Sequence, residues 1–425
     1  MLFRNVTLPD DRVCDVRVAG ETIEAVDEHL SAMDAEGTID ATGLRVFPGA
    51  IDVHVHLRQP GQSHKETWAT GTAAAAAGGV TTVVDQPNTR PPTISGKTFD
   101  QKADLATEAI VDYGINGGVS PDWDPSSLFE RPLFALGEVF LADSTGDMGI
   151  KQELFVDAVN RAADAGLPVT VHAEDATRFD ASARAREDPA AWSAFRPAEA
   201  ERAAVELAVD VGSEYDVSMH IAHASTPEGV DAAVSGGLTT EVTPHHLFLS
   251  INDLDDLGTL GRMNPPLRDE QRREAMWRRL VDGTIDIVAT DHAPHTRAEK
   301  DASIWDAPSG VPGVETMLPL LLAAARRGAL SYERIAEVTA RNPASRFGLD
   351  RKGRIEPGFD ADLVLVDPDA VESIQGDTLV TACGWTPFED WDGVFPLMTL
   401  VRGAVVYEDG RVGRTQGQNV RVQDA

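Results

Sequence analysis

The stretch "GAIDVHVHLRQPGQ", residues 49–62, decides the fold of this chain. Its alternation of polar and apolar residues predicts a β-strand that places His54, His56 and Arg58 on one face and the intervening aliphatic side chains on the other. A Pro-Gly pair then ends the strand. Because buried imidazole and guanidinium groups require polar partners, this polar face predicts a functional site at the carboxyl end of the strand.

Further β-like runs follow along the chain, separated by helix-like stretches, which is typical of repeated βαβ units. The eight predicted strands cover residues 46–56, 79–85, 111–116, 133–141, 168–172, 217–222, 238–243 and 284–290. Parallel strands in this number, with helices between most of them, predict an α/β fold built on a closed (β/α)8 barrel of the TIM type. An open doubly wound sheet is the alternative, but no G-x-G-x-x-G motif follows the first strand.

The two ends of the chain carry short β patterns of a different kind. Residues 1–45 and 352–425 predict one small composite β domain that both termini complete, whereas residues 46–351 predict the barrel. Turn signals in "AGE" and "EDGR" predict hairpins within this composite domain. A chain of 425 residues is long enough for both units.

Acidic residues dominate the charge. The chain has 69 Asp and Glu against 37 Lys and Arg, which gives a net charge of −32. The acid is dispersed, as in halophilic proteins, in which salt screens the self-repulsion of the surface; an ordinary acidic cytosolic protein is the alternative. In either case the negative field excludes nucleic acid and anionic membrane surfaces as partners.

The sequence predicts a cytoplasmic protein. No apolar run approaches the roughly 20 residues of a membrane span, and the N-terminal residues lack the apolar core of a signal peptide. Cys14 and Cys383 show no pairing pattern, which fits a reducing compartment with both thiols in the core. The sequence is compatible with a homo-oligomer.

Candidate metal ligands fall at the carboxyl ends of the predicted strands, which surround one mouth in a closed barrel. A lone histidine is more often structural, but four imidazoles and a carboxylate at strand ends predict a metal site. Imidazole with carboxylate suits zinc, and manganese or cobalt would also be accepted. The polar residues at these strand ends are His54, His56, His172, His223, Asp291 and His295.

The remaining histidines receive other interpretations. His29 and His64 are expected at the surface, and His220 is expected to face away from the barrel mouth. His245 and His246 either support the metal ligands or anchor a loop.

The chain also contains longer motifs: "DVHVHLRQPG", "GGVTTVVDQPNTRPP", "VHAED", "EVTPHHLFLS", "RMNPPLR", "ATDHAPHT" and "NPASRFGL…GRIEPGFDADLVLVD". Together these motifs resemble the amidohydrolase superfamily and, within it, the larger, first type of the dihydroorotase family. The resemblance covers about residues 1–405. It implies reversible hydrolysis of dihydroorotate to N-carbamoyl-L-aspartate in pyrimidine synthesis, with two zinc ions per subunit in a barrel mouth.

The resemblance also implies roles for individual residues. His54, His56 and Asp291 would hold one zinc, His172 and His223 would hold the second, and Asp291 would be the catalytic general base and acid. The residues implied in substrate binding are His56, Arg58, Asn88, Asn264 and His295, with the backbone of Ser309 and Gly310.

Two positions depart from the family pattern. Gln59 stands where a glutamate is usual, and its side chain is expected to point away from the site. Glu138 stands where many relatives carry a carboxylated lysine, so we expect Glu138 to bridge the two zinc ions. The alternative is a solvated Glu138 and a site with one zinc.

The chemistry of the residues supports these roles independently. Ring opening of a cyclic amide needs an activated water and a carboxylate to move its proton, for which Asp291 is suitably placed. Arg58 offers a bidentate fork to a substrate carboxylate, although it could instead pair with a loop acid. Asn88 could likewise only cap a turn.

Two other classes of protein remain as alternatives. Allantoinases and dihydropyrimidinases or hydantoinases share the metal ligands, but their substrates lack the free carboxylate that Arg58, Asn88 and Asn264 would bind. A non-catalytic paralogue usually loses metal ligands, and here the set is intact.

Overall fold

The computed structural model describes residues 1–143 and 148–422. Its strands, in chain order, are β1 (Leu2–Thr7), β2 (Val13–Ala19), β3 (Thr22–Asp27), β4 (Thr38–Asp40), β5 (Arg45–Pro48), β6 (Ala50–Val55), β7 (Val80–Asp85), β8 (Asp112–Ile115), β9 (Leu136–Phe140), β10 (Val169–His172), β11 (Met219–Ile221), β12 (Thr239–Val242), β13 (Ile287–Val288), β14 (Leu363–Val366), β15 (Glu372–Ser373), β16 (Asp392–Gly393), β17 (Pro396–Val401), β18 (Ala404–Glu408) and β19 (Arg411–Val412).

Most of the helices lie between the strands of the middle of the chain. They are α1 (Trp68–Ala77), α2 (Gly96–Ala106), α3 (Pro125–Leu128), α4 (Gln152–Ala165), α5 (Ala191–Phe195), α6 (Ala198–Tyr215), α7 (Pro227–Ser235), α8 (Pro244–Phe248), α9 (Leu254–Leu257), α10 (Glu270–Asp282), α11 (Arg297–Lys300), α12 (Met317–Arg326), α13 (Tyr332–Ala336) and α14 (Asn342–Arg346). Within the described ranges, none of them has both the length and the apolar character that a membrane crossing requires.

The strands β6 to β13 form a closed parallel barrel. The strands β6, β7 and β8 pair in sequence order, as do β9 to β13. Parallel bridges from Gly117 to Leu136 and from Val55 to His292 join these two groups at both edges. Each of the eight predicted barrel strands is present, and the predicted (β/α)8 barrel is confirmed.

The first predicted strand differs from the structure. Residues 46–56 form two strands, because the chain leaves β5 and enters β6 at Gly49. The strand β5 pairs with β14 and β1, outside the barrel, whereas β6 pairs with β7. A Cβ atom at position 49 would overlap the Thr81 side chain, so only glycine fits this crossing.

Helix α1 illustrates how local sequence sets the element boundaries. The Thr67 side chain accepts a hydrogen bond from the Thr70 amide, and the Thr70 hydroxyl accepts one from the Thr67 amide. This capping box starts the helix at Trp68, and Gly78 ends it after the alanine run. The helix follows β6, the strand that carries His54, and it packs beside β7.

The two ends of the chain form one sheet. Its order is β19–β18–β17–β14–β5–β1–β2–β3, with β4 paired to β1. The hairpins predicted from "AGE" and "EDGR" join β2 to β3 and β18 to β19. The composite β domain is therefore confirmed, although β5 at residues 45–48 extends it beyond the predicted boundary, and the division into residue ranges stays a prediction.

The barrel and the composite sheet each have their own apolar core. The larger one joins the barrel strands to the surrounding helices, and the second, which includes Phe3, Val46 and Leu363, lies in the composite sheet. Cys14 and Cys383 are free and buried, and burial raises the pKa of both thiols to about 11. Both cysteines therefore act as core residues, as predicted.

Candidate metal centre and active site

Six potential metal ligands meet at the mouth of the barrel, and all are buried. His223 and Asp291 come just after β11 and β13 and have left-handed backbone conformations, with φ of 33° and 46°. Such conformations are uncommon for residues with a Cβ atom and concentrate at functional sites. The structure brings together the predicted set His54, His56, Glu138, His172, His223 and Asp291.

The first group of ligand atoms comes from β6 and from the turn after β13. His56 Nε2 lies 2.8 Å from Asp291 Oδ1, and His54 Nε2 lies 3.6 Å from the same oxygen. Potential donor atoms of these three residues lie within 4.8 Å of one another. One cation could therefore contact all three side chains.

Glu138 lies between this group and a second one. Its Oε1 is 2.6 Å from His223 Nε2 and 2.9 Å from His172 Nδ1. Its Oε2 is 3.3 Å from His54 Nε2. The two oxygens of one carboxylate thus face two different groups of imidazoles, as a bridging ligand would.

The donor set fits a pair of divalent cations. His54 Nε2 is buried and has no hydrogen-bond partner within the described ranges, although it points toward the carboxylates of Glu138 and Asp291. Imidazole nitrogen and carboxylate oxygen are the donors that zinc and similar metals prefer. Two buried groups of such donors are consistent with a binuclear metal centre.

The charges in the cluster depend on one another. Burial lowers the pKa of His54, but the Glu138 and Glu241 carboxylates outweigh burial and hold that pKa well above its usual value. Burial raises the pKa of Glu138, yet His54 and His223 hold it well below its usual value. The carboxylates are therefore poised as anions facing positive charge.

A further layer of acceptors orients the imidazoles. His54 Nδ1 donates to Glu241 Oε1 at 2.6 Å, and His172 Nε2 donates to Glu174 Oε2 at 2.9 Å. His56 Nδ1 donates to the Asn88 oxygen at 2.7 Å. In each ring the outer nitrogen donates to a fixed acceptor, so the inner nitrogen is the one that can give up its proton and bind a cation.

Glu241 and Glu174 were not predicted from the sequence. Glu241 also accepts from the His223 amide at 3.1 Å and from His220 Nε2 at 3.0 Å, so His220 lies behind His54 rather than in the mouth. Arg196 pairs with Glu174 at 2.5 Å and neutralises it. Glu174 stands two residues after His172 in "VHAED", and Glu241 stands four residues before His245 in "EVTPHH". This nearness to histidines at strand ends was the available signal.

Four other histidines lie outside the group of candidate metal ligands. His29 and His64 are exposed, as predicted. His246 anchors a loop, because its Nε2 donates to the Pro265 carbonyl at 3.0 Å. His245 is buried, and burial lowers its pKa to about 3, so this ring is neutral at physiological pH.

A cavity opens beside the metal ligands. Arg58 in its wall is 2% exposed and donates from Nε to the Pro294 carbonyl at 3.1 Å. Burial lowers the pKa of Arg58 to about 10, so the guanidinium remains charged near neutral pH. The lining consists of His56, Arg58, Asn88, Glu138, His223, Asn264, Asp291, Ala293, Ser309 and Gly310.

His295 lies behind Arg58. Its Nε2 is 3.2 Å from Arg58 Nη2 and 3.0 Å from the Ser309 carbonyl, and its Nδ1 is 3.0 Å from Lys65 Nζ. Gln59 is directed elsewhere, as expected, since its side-chain oxygen accepts from the Trp68 amide at 2.8 Å. Lys65 donates to Nδ1 and Nε2 donates to the Ser309 carbonyl, so Nε2 cannot also accept a hydrogen bond from Arg58. His295 therefore packs beside the guanidinium, and its direct contact with substrate stays a prediction.

Comparison with known proteins agrees with this site. The model of the "Amidohydrolase family" matches residues 45–406. A dihydroorotase from Halobacterium salinarum is 64% identical over 99% of both chains, in agreement with the predicted halophilic character. A dihydroorotase from Methanosarcina acetivorans is 43% identical over 96% of this chain and 91% of its own length.

The fold agrees equally well with a solved structure. An L-hydantoinase (dihydropyrimidinase) from Arthrobacter aurescens superposes with a TM-score of 0.94 and 28% identity, covering 98% of each chain. The likeness extends over both the barrel and the composite sheet, because it covers nearly the whole chain. The chain is therefore a member of the amidohydrolase family, and within that family it belongs with the dihydroorotases.

Proposed function

We propose that this protein catalyses the reversible hydrolysis of dihydroorotate to N-carbamoyl-L-aspartate. One observation carries the choice of substrate: a desolvated guanidinium, Arg58, lines the same cavity as the candidate metal ligands. Dihydroorotate is a cyclic amide with a carboxylate on its ring. A buried, charged fork is suited to that carboxylate, and the metal ligands lie where the scissile amide would be.

Zinc is the proposed metal. His54, His56 and Asp291 would hold one ion, His172 and His223 would hold the other, and Glu138 would contact both. When bound, a zinc pair polarises the amide carbonyl and lowers the pKa of a water molecule.

Asp291 is the proposed general base and acid. It lines the cavity and is 6% exposed. Burial raises the pKa of Asp291, but the His56 imidazole outweighs that effect and keeps the pKa below its usual value. An ionised Asp291 can take a proton from the attacking water and return it to the leaving ring nitrogen. Ring closure uses the same group in reverse.

Arg58, Asn88 and Asn264 would hold the substrate carboxylate and the ring. Arg58 is fixed by the Pro294 carbonyl and backed by His295. His56 donates to the Asn88 oxygen, so Asn88 is held to a candidate metal ligand beside the cavity. Ser309 and Gly310 also line the cavity, and their backbone would close over the substrate.

A direct test measures turnover of dihydroorotate, hydantoin, dihydrouracil and allantoin side by side. We expect kcat/KM for dihydroorotate to exceed each of the others by at least about 100-fold, since a site built to bind a charged group rejects analogues that lack it. The fold is shared with a hydantoinase, so comparable turnover of hydantoin would assign the protein to that activity instead. N-carbamoyl-L-aspartate serves as the substrate for the reverse direction.

We further propose that Glu138 takes the place of a carboxylated lysine. Its carboxylate supplies two oxygens between the imidazole groups, which offsets the repulsion between two cations. The native enzyme should therefore need no CO₂. A Glu138→Lys variant should be nearly inactive without bicarbonate and should recover part of its activity and metal content when bicarbonate is added.

Glu138→Gln is the matched control, because a glutamine cannot be carboxylated and should stay inactive with bicarbonate. Activity and bound zinc are measured for all three proteins in CO₂-free buffer and after addition of bicarbonate. Native activity that falls on CO₂ removal and returns with bicarbonate would contradict the bridging role of Glu138.

A further inference from the structure

Among the described residues, Lys300 is the one buried lysine without a carboxylate partner. Four of the six lysines of the chain are buried, and the other three of these four form ion pairs with aspartate or glutamate. Lys300 is 1% exposed, and the charged groups that act on it are the cations Arg262 and Arg58. Burial of a charge is costly unless strong hydrogen-bond partners surround it, so the partners of Lys300 need to be identified.

Three backbone carbonyls surround the Lys300 ammonium. Its Nζ donates to the carbonyl oxygens of Arg262 at 2.8 Å, Pro308 at 3.0 Å and Gly310 at 3.0 Å. The ring of Trp385 adds an aromatic surface, with its centre 5.8 Å from Nζ. Burial lowers the pKa of Lys300 well below its usual value. The three carbonyl acceptors oppose that effect, because only the protonated form has three N–H donors.

The ammonium joins two segments that line the cavity. One acceptor, the Arg262 carbonyl, lies two positions before Asn264, and the other two flank Ser309. The Gly310 amide donates to the same Arg262 carbonyl at 3.0 Å, which ties the two segments directly. Asn264, Ser309 and Gly310 line the cavity, whereas Lys300 itself does not. Lys300 therefore lies behind this wall and holds its two parts together.

The wall at residues 308–310 has little freedom. Lys300 holds the first and third of its carbonyl oxygens, and His295 Nε2 donates to the middle one, that of Ser309, at 3.0 Å. Gly310 has a φ of 131°, and a Cβ atom there would lie 2.6 Å from the Ala293 carbonyl oxygen, so the position requires glycine. Three successive carbonyl oxygens are thus held by N–H donors of the protein. A carbonyl released from this arrangement and turned into the cavity would repel a substrate carboxylate.

We propose that Lys300 is a positioning residue that fixes the cavity wall formed by Ser309 and Gly310 before the substrate arrives. It acts through the carbonyl groups of the wall and does not touch the substrate. A wall that is already in place binds the substrate without an ordering cost, whereas a mobile wall reduces the apparent affinity by the fraction of time it spends in place. This inference rests on the proposed function, because it takes dihydroorotate and N-carbamoyl-L-aspartate as the ligands.

The first test removes the ammonium and keeps an unbranched side chain. If the wall of Lys300→Met is in place about a tenth of the time, KM for both substrates should rise about tenfold while kcat changes less than about threefold. Lys352→Met is the matched control, because it also removes a buried ammonium, but one that pairs with Asp112 and Asp362 at the amino end of β8. This control should lose stability and keep the native KM. A native KM in Lys300→Met would overturn the proposal.

Hydrogen exchange tests the position of the wall without any turnover. Amide exchange of the full-length protein is followed by mass spectrometry in the absence of substrate. In Lys300→Met, exchange in residues 307–313 should accelerate by about tenfold or more, while the barrel strands keep their native protection. Equal acceleration throughout the chain would mean that Lys300 only adds global stability, and unchanged exchange in residues 307–313 would mean that the wall does not depend on it. Either result would overturn the proposal.

Two further substitutions support this test. Lys300→Arg keeps the charge and offers N–H donors, so its KM and its exchange in residues 307–313 should lie between those of the native protein and Lys300→Met; values equal to those of Lys300→Met would contradict a role of these donors. Lys300→Gln replaces Lys300→Met if the latter does not fold, with the same expected rise in KM and in local exchange. Failure of the native enzyme to turn over dihydroorotate would refute the proposed function, whereas the exchange measurement would still decide the role of Lys300, so the two failures are distinguishable.

Discussion

Asp291→Asn is expected to abolish turnover in both directions, with a loss on the order of 10²- to 10⁴-fold in kcat. The substitution keeps the size of the side chain and removes the proton acceptor that faces the cavity. Both directions fail together because ring opening and ring closure use the same group. Initial rates with dihydroorotate and with N-carbamoyl-L-aspartate measure the two losses.

Bound metal must be measured in the same samples, since Asp291 is also a candidate ligand. Asp52→Asn is the matched control: this buried carboxyl on β6 binds the Thr290 amide at 3.0 Å and does not line the cavity. Burial raises the pKa of Asp52 to about 7, so an amide imitates its protonated form, and metal and most turnover should remain. An Asp291→Asn enzyme with full metal and more than about a tenth of the native rate would exclude the base role.

Arg58→Lys should lower kcat/KM for dihydroorotate by about 30- to 150-fold, which corresponds to about 2–3 kcal/mol for a lost bidentate pair. Lysine keeps the charge, but it offers one point of contact and a shorter reach to the Pro294 carbonyl that now holds Arg58. Zinc content should stay normal, because Arg58 contacts none of the imidazole nitrogens that face the proposed metals.

A substrate without the ring carboxylate provides the internal control for Arg58→Lys. Any residual turnover of dihydrouracil by the native enzyme should change little in the variant, since the lost contact is absent from that substrate. Equal losses for dihydroorotate and dihydrouracil would mean that Arg58 supports the site generally and does not select a carboxylate.

The barrel and its principal ligands were predictable because the relevant signal is local. An apolar run identifies a barrel strand, and a histidine at its end, such as His54 or His172, marks the carboxyl end of that strand at the barrel mouth. Eight such runs in order leave few folds to choose from. The break at Gly49 was not predicted. The strand pattern of residues 46–56 does not show that its first part joins the composite sheet and its second part the barrel.

The residues that support the ligands could not be predicted in the same way. Glu241 holds His54 across a separation of 187 positions, and a carboxylate on a strand has no local mark of its partner. His295 follows β13 as predicted, but the loop after that strand turns it behind Arg58.

The order of strands in the composite sheet has a consequence for synthesis on the ribosome. The strand β5 is complete at Pro48, but its antiparallel neighbour β14 ends only at Val366. At about 5–20 residues per second, that delay lasts roughly 15 to 65 s. During this time the nascent chain exposes an open sheet edge, which is a template for pairing between chains. A chain that ends within the barrel would keep this edge open permanently, so we expect such truncated chains to aggregate more readily than the full-length protein.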